Sequence, residues 1–427
     1  MEQSQYTILG MDISDDFTQV AWYQPDMQEP NSMSVAEGEE EYRIPTIICK
    51  KENEPVWLLG ENAKKLAVIG KGYEIRHLLK KLEKSEEFEI DGAVYTAVEL
   101  FQIYFQCVLD LAKEKSGQEK FSYITVTTGT LSKRLIDQVF LVLSRLGYGK
   151  QKVRVISYTE SFIYYVLSQP KELRLNDIAL LDFSKDEFIY RRMNISRGTN
   201  PTIVQVDKED LTGEIAFPKG LPQMEKEAID ETFAKMIQKE FRHGIVSTVY
   251  LTGEGFYEEW AEESMKVICS KRRVFQGYNL YVKGAAYAGY MRYHSEYFEN
   301  CVFYCEGRTK VDISLLVQHG QKQMPLLLSR AGTNWYEAGA MTEGILDHAD
   351  EIVFVITSPI TKQSQNYKIE LHDFPVRPNK TTRVEIGLSY SSEDQCTILI
   401  KDRGFGEIFK SSGKAVRKMI KLQEYEP

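Results

Sequence analysis

The chain has 427 residues, 43% of them hydrophobic, with 53 Lys and Arg against 62 Asp and Glu for a formal net charge of -9. That length predicts about two to four domains with real cores, and the composition excludes a collagenous, low-complexity or disordered chain. The acid excess, with no basic face in the sequence, excludes a nucleic acid as partner, and the lack of a run of about 18 apolar residues excludes membrane insertion.

The first predicted element is a hairpin. Residues 6–13 read as a buried strand, Ser14-Asp15-Asp16 as a tight polar turn, and residues 17–23 as the returning strand. A helix is predicted over residues 93–112, with Val94, Ala97, Val98, Phe101, Phe105, Val108 and Leu109 on one face. Residues 123–126 form a strand that ends in Thr128-Gly129 and leads into a helix over 131–146. The same wording then returns. Residues 178–183 form a strand ending in Asp182-Phe183, Ser184-Lys185-Asp186 turns the chain, and 187–193 lead back. A helix over 223–241 follows, then a strand at 248–251 ending in Thr252-Gly253-Glu254-Gly255 and a helix over 256–268. Each half therefore reads hairpin, excursion, strand, Thr-Gly turn, helix, as a duplicated α/β domain would. After a helix around 281–293, apolar alternation dominates from Val302 to about Phe409, the pattern of a separate all-β domain. Residues 414–422 are expected to form a short terminal helix with Lys414, Arg417, Lys418 and Lys421 on one face. The six cysteines are scattered, and only Cys301 and Cys305 lie close, which fits free thiols in a reducing compartment; with an opening segment unlike a signal peptide, a cytoplasmic location is expected.

An Asp at the end of a strand, followed by a polar turn whose amides point outward, is one way to build a phosphate and magnesium site. Two such hairpins facing each other would form a clamp. In this light Gly10-Met11-Asp12-Ile13-Ser14-Asp15-Asp16 resembles the first phosphate loop, and Asp182-Phe183-Ser184-Lys185-Asp186 the second, of the DnaK-type seventy-kilodalton heat-shock chaperones, members of the actin-like superfamily. Leu251-Thr252-Gly253-Glu254-Gly255 is similar to that family's adenosine loop, and Lys283-Gly284-Ala285-Ala286 to its A-x-G-A-A stretch. The β segment fits as well, since residues 311–316 resemble the opening of the family's peptide-binding domain.

The departures bear on activity. Ser14-Asp15-Asp16 and Ser184-Lys185-Asp186 stand where the family has glycines that let backbone approach phosphate. The family's active-site lysine falls at Arg76 and its glutamate at Tyr158, and Arg does not replace a Lys point charge freely. The resemblance implies an α/β plus all-β fold. A duplicated actin-like nucleotide-binding domain over residues 1–295 is joined by a linker at 296–308 to a β-sandwich over 309–412, and a helix or tail completes the chain at 413–427. It implies ATP or ADP with magnesium at Asp12, Ser14, Asp15, Asp16, Arg76, Asp182, Ser184, Lys185, Gly253 and Gly255, the metal on Asp12 and Asp182, and no residue assigned to catalysis. The expected function is that of a chaperone-like or adaptor protein with weak or no ATP hydrolysis, its partners protein or peptide clients. Trp335-Tyr336 belongs either to a peptide pocket or to the core. An active ATP-dependent chaperone and an actin-like scaffold are the alternatives, and the oligomeric state is left open.

Overall fold

The structure is a computed structural model that describes residues 6–35, 41–84, 86–293, 301–320 and 322–425. The chain divides into two compact units, one of residues 1–195 and 206–299, the other of residues 196–205 and 300–427.

Two sheets of the first unit share one topology. Strand β1 (Ile8–Ile13) pairs antiparallel with β2 (Phe17–Tyr23) and parallel with β3 (Tyr123–Thr128), which pairs parallel with β4 (Val153–Ser157). In the second half β5 (Asp177–Phe183) pairs antiparallel with β6 (Phe188–Ser196) and parallel with β7 (Val246–Thr252), which pairs parallel with β8 (Arg273–Gln276). The repeat read from the two Asp-bearing hairpins is thus a repeat of strand order. Every residue of β1 is buried, as expected of a strand covered on both faces.

Helices supply that cover. Helix α1 spans Ala97–Ser116 and buries Phe101, Tyr104 and Phe105, the Tyr104 hydroxyl bonding Thr18 of β2. It begins later than the periodicity predicts. Thr96 accepts from the Glu99 amide while the Glu99 carboxylate accepts from the Thr96 amide, so this capping box fixes the start and residues 93–96 pair as a strand instead. Helices α2 (Lys133–Arg145) and α3 (Tyr158–Ser168) flank β4 in sequence; α4 (Gln223–Glu240), α5 (Glu262–Cys269) and α6 (Leu280–Tyr293) belong to the second half. The predicted helix over 256–268 is cut short, because the buried Trp260 indole donates to the Gly255 carbonyl at 2.5 Å and holds the preceding segment as a loop.

At the centre α6 packs on both α3 and β1, and two glycines set the approach. A Cβ on Gly10 would lie 2.5 Å from the Val282 carbonyl oxygen, and one on Gly284 would lie 2.1 Å from that of Ser161. This close seam anchors the starts of α3 and α6, where the site is built.

The second unit is β-rich. Strands β9 (Asp312–His319), β10 (Lys322–Ser329), β12 (Glu351–Thr357) and β13 (Ser364–Glu370) form an antiparallel sheet in the order β10-β9-β12-β13. Strands β11 (Ala340–Ile345), β14 (Arg383–Ser392), β15 (Gln395–Gly404) and β16 (Ala415–Lys421) form another in the order β11-β14-β15-β16. Two expectations need correction. The predicted terminal helix is strand β16, paired with β15 from Lys401↔Ala415 to Gln395↔Lys421, so edge pairing overrides the helical propensity of its lysines and alanine. The predicted linker at 296–308 contains a strand, Cys301–Tyr304, which pairs parallel with Thr202–Gln205, while residues 296–300 lie outside the described residues. Trp335 is 3% exposed and belongs to the core rather than to an open pocket. A bidentate pair, Arg377 Nη1 to Asp402 Oδ1 at 2.7 Å and Nη2 to Oδ2 at 2.8 Å, holds the Asp402 carboxyl well below the usual carboxylate range.

In an open helix, Gly→Ala stabilises by about 1 kcal/mol. At Gly284 the added methyl meets backbone, so Gly284→Ala is expected to lower stability by about 1–3 kcal/mol in urea unfolding. A neutral or stabilising result would show that α3 and α6 do not meet as described.

Candidate functional site

The two hairpin aspartates line one cavity of about 660 Å³ in the first unit. Asp12 is the penultimate residue of β1 and is 2% exposed; Asp182 holds the same place in β5. Between them stand two tyrosines that the repeat places at nearly equivalent points, Tyr158 as the first residue of α3 and Tyr281 as the second of α6. The Tyr158 hydroxyl donates to Asp12 Oδ1 at 2.8 Å, and the Tyr281 hydroxyl donates to Asp182 Oδ2 at 2.5 Å. Their rings are stacked, centroids 4.1 Å apart and planes 6° from parallel. Arg191 of β6 completes the chain, donating to Thr159 and to the Tyr281 oxygen at 3.0 Å each and standing 3.6 Å from Asp182.

Electrostatics follow from burial. Loss of water raises the Asp12 pKa to about 7; the Tyr158 hydrogen bond opposes this, and the charge of Asp182 adds to it. Both tyrosine hydroxyls are pushed well above their ordinary value, first by burial and then by the neighbouring carboxylates, so each remains a donor at neutral pH.

The turns are closed on themselves. Ser14 Oγ accepts from the Phe17 amide at 3.1 Å and donates to the Phe17 carbonyl at 3.0 Å; Ser184 Oγ makes the same two bonds with Glu187, both at 3.2 Å. The amides of Phe17 and Glu187 are thus consumed by serine rather than turned toward a phosphate. Asp15 Oδ1 accepts from the Leu79 amide at 2.9 Å, capping the helical segment Leu78–Lys84, and Asp16 and Lys185 line the rim, Asp16 and Lys185 both exposed. Gly253 lines the cavity with φ +94, where a Cβ would meet the Phe183 carbonyl oxygen at 2.3 Å. Gly255 instead packs on the Phe183 ring, and Arg76 pairs with Glu74 at 2.5 Å in an adjoining pocket of about 430 Å³.

Magnesium with a triphosphate would need ionised carboxylates, outward amides and free space between Asp12 and Asp182. The carboxylates here already take tyrosine hydroxyls, and the rings bridge the interval, so these residues do not fit that group. Among the described residues no cluster of three or more His, Cys, Asp or Glu is placed to hold a metal ion.

Sequence reasoning located the aspartates, the turns and Tyr158. It missed Tyr281 and Arg191, together with Gln19, Arg43 and Glu254 on the wall. Arg43 joins the halves across the mouth, donating to Glu254 at 2.6 Å with its guanidinium 4.8 Å above the Tyr257 ring. The one available signal was that Tyr158 and Tyr281 both open helices after matching strands.

The raised Asp12 pKa has a defined sign. The folded state holds this proton more tightly than the unfolded chain, so Asp12 stabilises most below its ordinary value of 3.8, and that contribution is lost as pH rises through about 7. Asp12→Asn keeps the Tyr158 acceptor without the charge. Denaturation at several pH values is expected to show the variant gaining stability relative to the wild type between pH 5 and 8; parallel curves would contradict the assignment.

Residues 29–306 match a family of unknown function, DUF5716 C-terminal, and residues 308–422 match a domain of unknown function, DUF8552. No curated protein matches the chain. Since the first match covers more than half of the sequence, the chain belongs to the DUF5716 C-terminal family.

Proposed function

We propose that the chain is a chaperone-like or adaptor protein of the DnaK type, with an actin-like duplicated unit that does not turn over ATP and a β-sandwich unit that takes extended apolar polypeptide segments. The observation that carries the reading is a contrast between sheet edges in the second unit. On edge strand β10, Met324, Leu326 and Leu327 are 47%, 43% and 43% exposed, and on edge strand β11, Met341 and Ile345 are 74% and 54% exposed. The other two edges are richer in charge, with Lys368 and Glu370 on β13 and, on β16, Arg417, Lys418 and Lys421 around the exposed Met419. Charged edges resist a further strand, whereas apolar ones offer side-chain pockets beside free main-chain groups.

The site supports weak or absent turnover. The tyrosine pair occupies the interval between the carboxylates, and Tyr158 stands where the DnaK-type family has its glutamate. Cys49, Cys107, Cys269 and Cys396 are thiols rather than disulfides, which supports a cytoplasmic setting, and no helix among the described residues is long and apolar enough to cross a membrane.

An array of extended apolar peptides should bind the full chain by fluorescence polarisation. Leu326→Glu and Met341→Glu should each weaken that binding about tenfold, the equivalent of burying one side chain less. Phosphate release from magnesium-ATP should stay at background. Indifference to the whole array would remove the peptide-binding reading, and robust turnover would remove the non-hydrolysing one.

A further inference from the structure

The cavity of the first unit is built for charge of the opposite sign to a nucleotide. Among the described residues its walls carry eight acidic side chains against four basic ones, Arg43, Lys80, Arg134 and Lys185. Arg43 is committed to Glu254, and Lys80 lies 3.8 Å from Asp15. The resulting field repels polyphosphate and concentrates cations.

Gln19 supplies an independent observation. It faces the same cavity and an adjoining pocket of about 270 Å³, yet it is only 2% exposed. Its Nε2 donates to the Tyr278 carbonyl at 2.7 Å, which fixes the amide orientation and leaves Oε1 buried with no hydrogen-bond partner. A buried acceptor left alone is costly, so this point of the wall favours a ligand that brings a donor. Beside it the Tyr257 and Tyr278 rings meet edge to face at 4.3 Å, and Tyr257 already takes the Arg43 guanidinium over its ring at 4.8 Å. Aromatic faces of this kind favour cations.

A metal ion does not suit these walls, because the carboxylates are dispersed: no three of them come together in the described residues. Dispersed acids match a ligand whose charges are spaced along an apolar stem. We propose that this cleft binds a small aliphatic polyamine, one ammonium donating to Gln19 Oε1, the methylene stem lying along Tyr257 and Tyr278, and the remaining charge facing the acidic hairpin turns at Asp16 and Asp186. The site is independent of peptide binding by the second unit, and its failure leaves that reading intact.

Isothermal titration of the full chain with spermidine tests it, with magnesium chloride and magnesium-ATP at matched ionic strength for comparison. Saturable one-to-one binding of spermidine is expected, undisturbed by magnesium and not reproduced by magnesium-ATP. Gln19→Leu should weaken it about tenfold or more, the loss of one hydrogen bond to a charged group. Asp186→Asn, on an exposed turn where folding is not at risk, should weaken it about two- to fivefold and decides the matter if the Gln19 variant does not fold. No saturable heat with spermidine, displacement by magnesium at matched ionic strength, or unchanged affinity in the folded variants would overturn the proposal.

Discussion

Stacking of Tyr158 on Tyr281, with each hydroxyl given to the aspartate of its own half, is the interaction on which the first unit turns. The hairpins bring Asp12 and Asp182 to one cavity, and two carboxylates there would repel each other in a poorly hydrated space. Hydroxyl donors relieve that repulsion without a metal, and the stacked rings tie the two sheets together through the starts of α3 and α6. The glycine seam at Gly10 and Gly284 is the packing condition, since it lets α6 sit close enough to β1 and α3 to place Tyr281 over Tyr158.

The electrostatic character of the cleft follows from the same arrangement. Once tyrosines replace cation chemistry at the aspartates and serines absorb the turn amides, the acids of the cleft outnumber the bases that face them, Arg191 at Asp182 and Lys80 at Asp15 among them. Burial then holds a proton on Asp12 near neutrality. Arg43 over Tyr257 shows the kind of group such a wall accepts, a cation held by a ring face and a carboxylate.

Much of this was legible in the amino-acid order. Strand order, the hairpins and the all-β segment follow from periodicity and turn chemistry, which are local. The helix starts were less legible: the Thr96 and Glu99 capping box moves α1 four residues on, and Trp260 delays α5 through a bond to Gly255 that no periodicity encodes. The basic segment 414–422 reads as a helix alone and becomes strand β16 only because β15 offers it an edge. In the site, Asp12, Asp182 and Tyr158 were visible because they stand in short motifs. Tyr281 and Gln19 were not, because each acts through partners far away in sequence, Asp182 for one and the Tyr278 carbonyl for the other.

The account rests on Tyr158 and Tyr281 acting as one unit, and a double-mutant cycle measures that directly. Tyr158→Ala, Tyr281→Ala and the double variant would be compared by equilibrium unfolding at pH 7. The predicted result is a coupling energy of about 1 kcal/mol or more, because removing either ring already abolishes the stack and strands its aspartate. Additivity within about 0.3 kcal/mol would contradict the account, since it would mean that the two halves of the first unit are not joined through these rings.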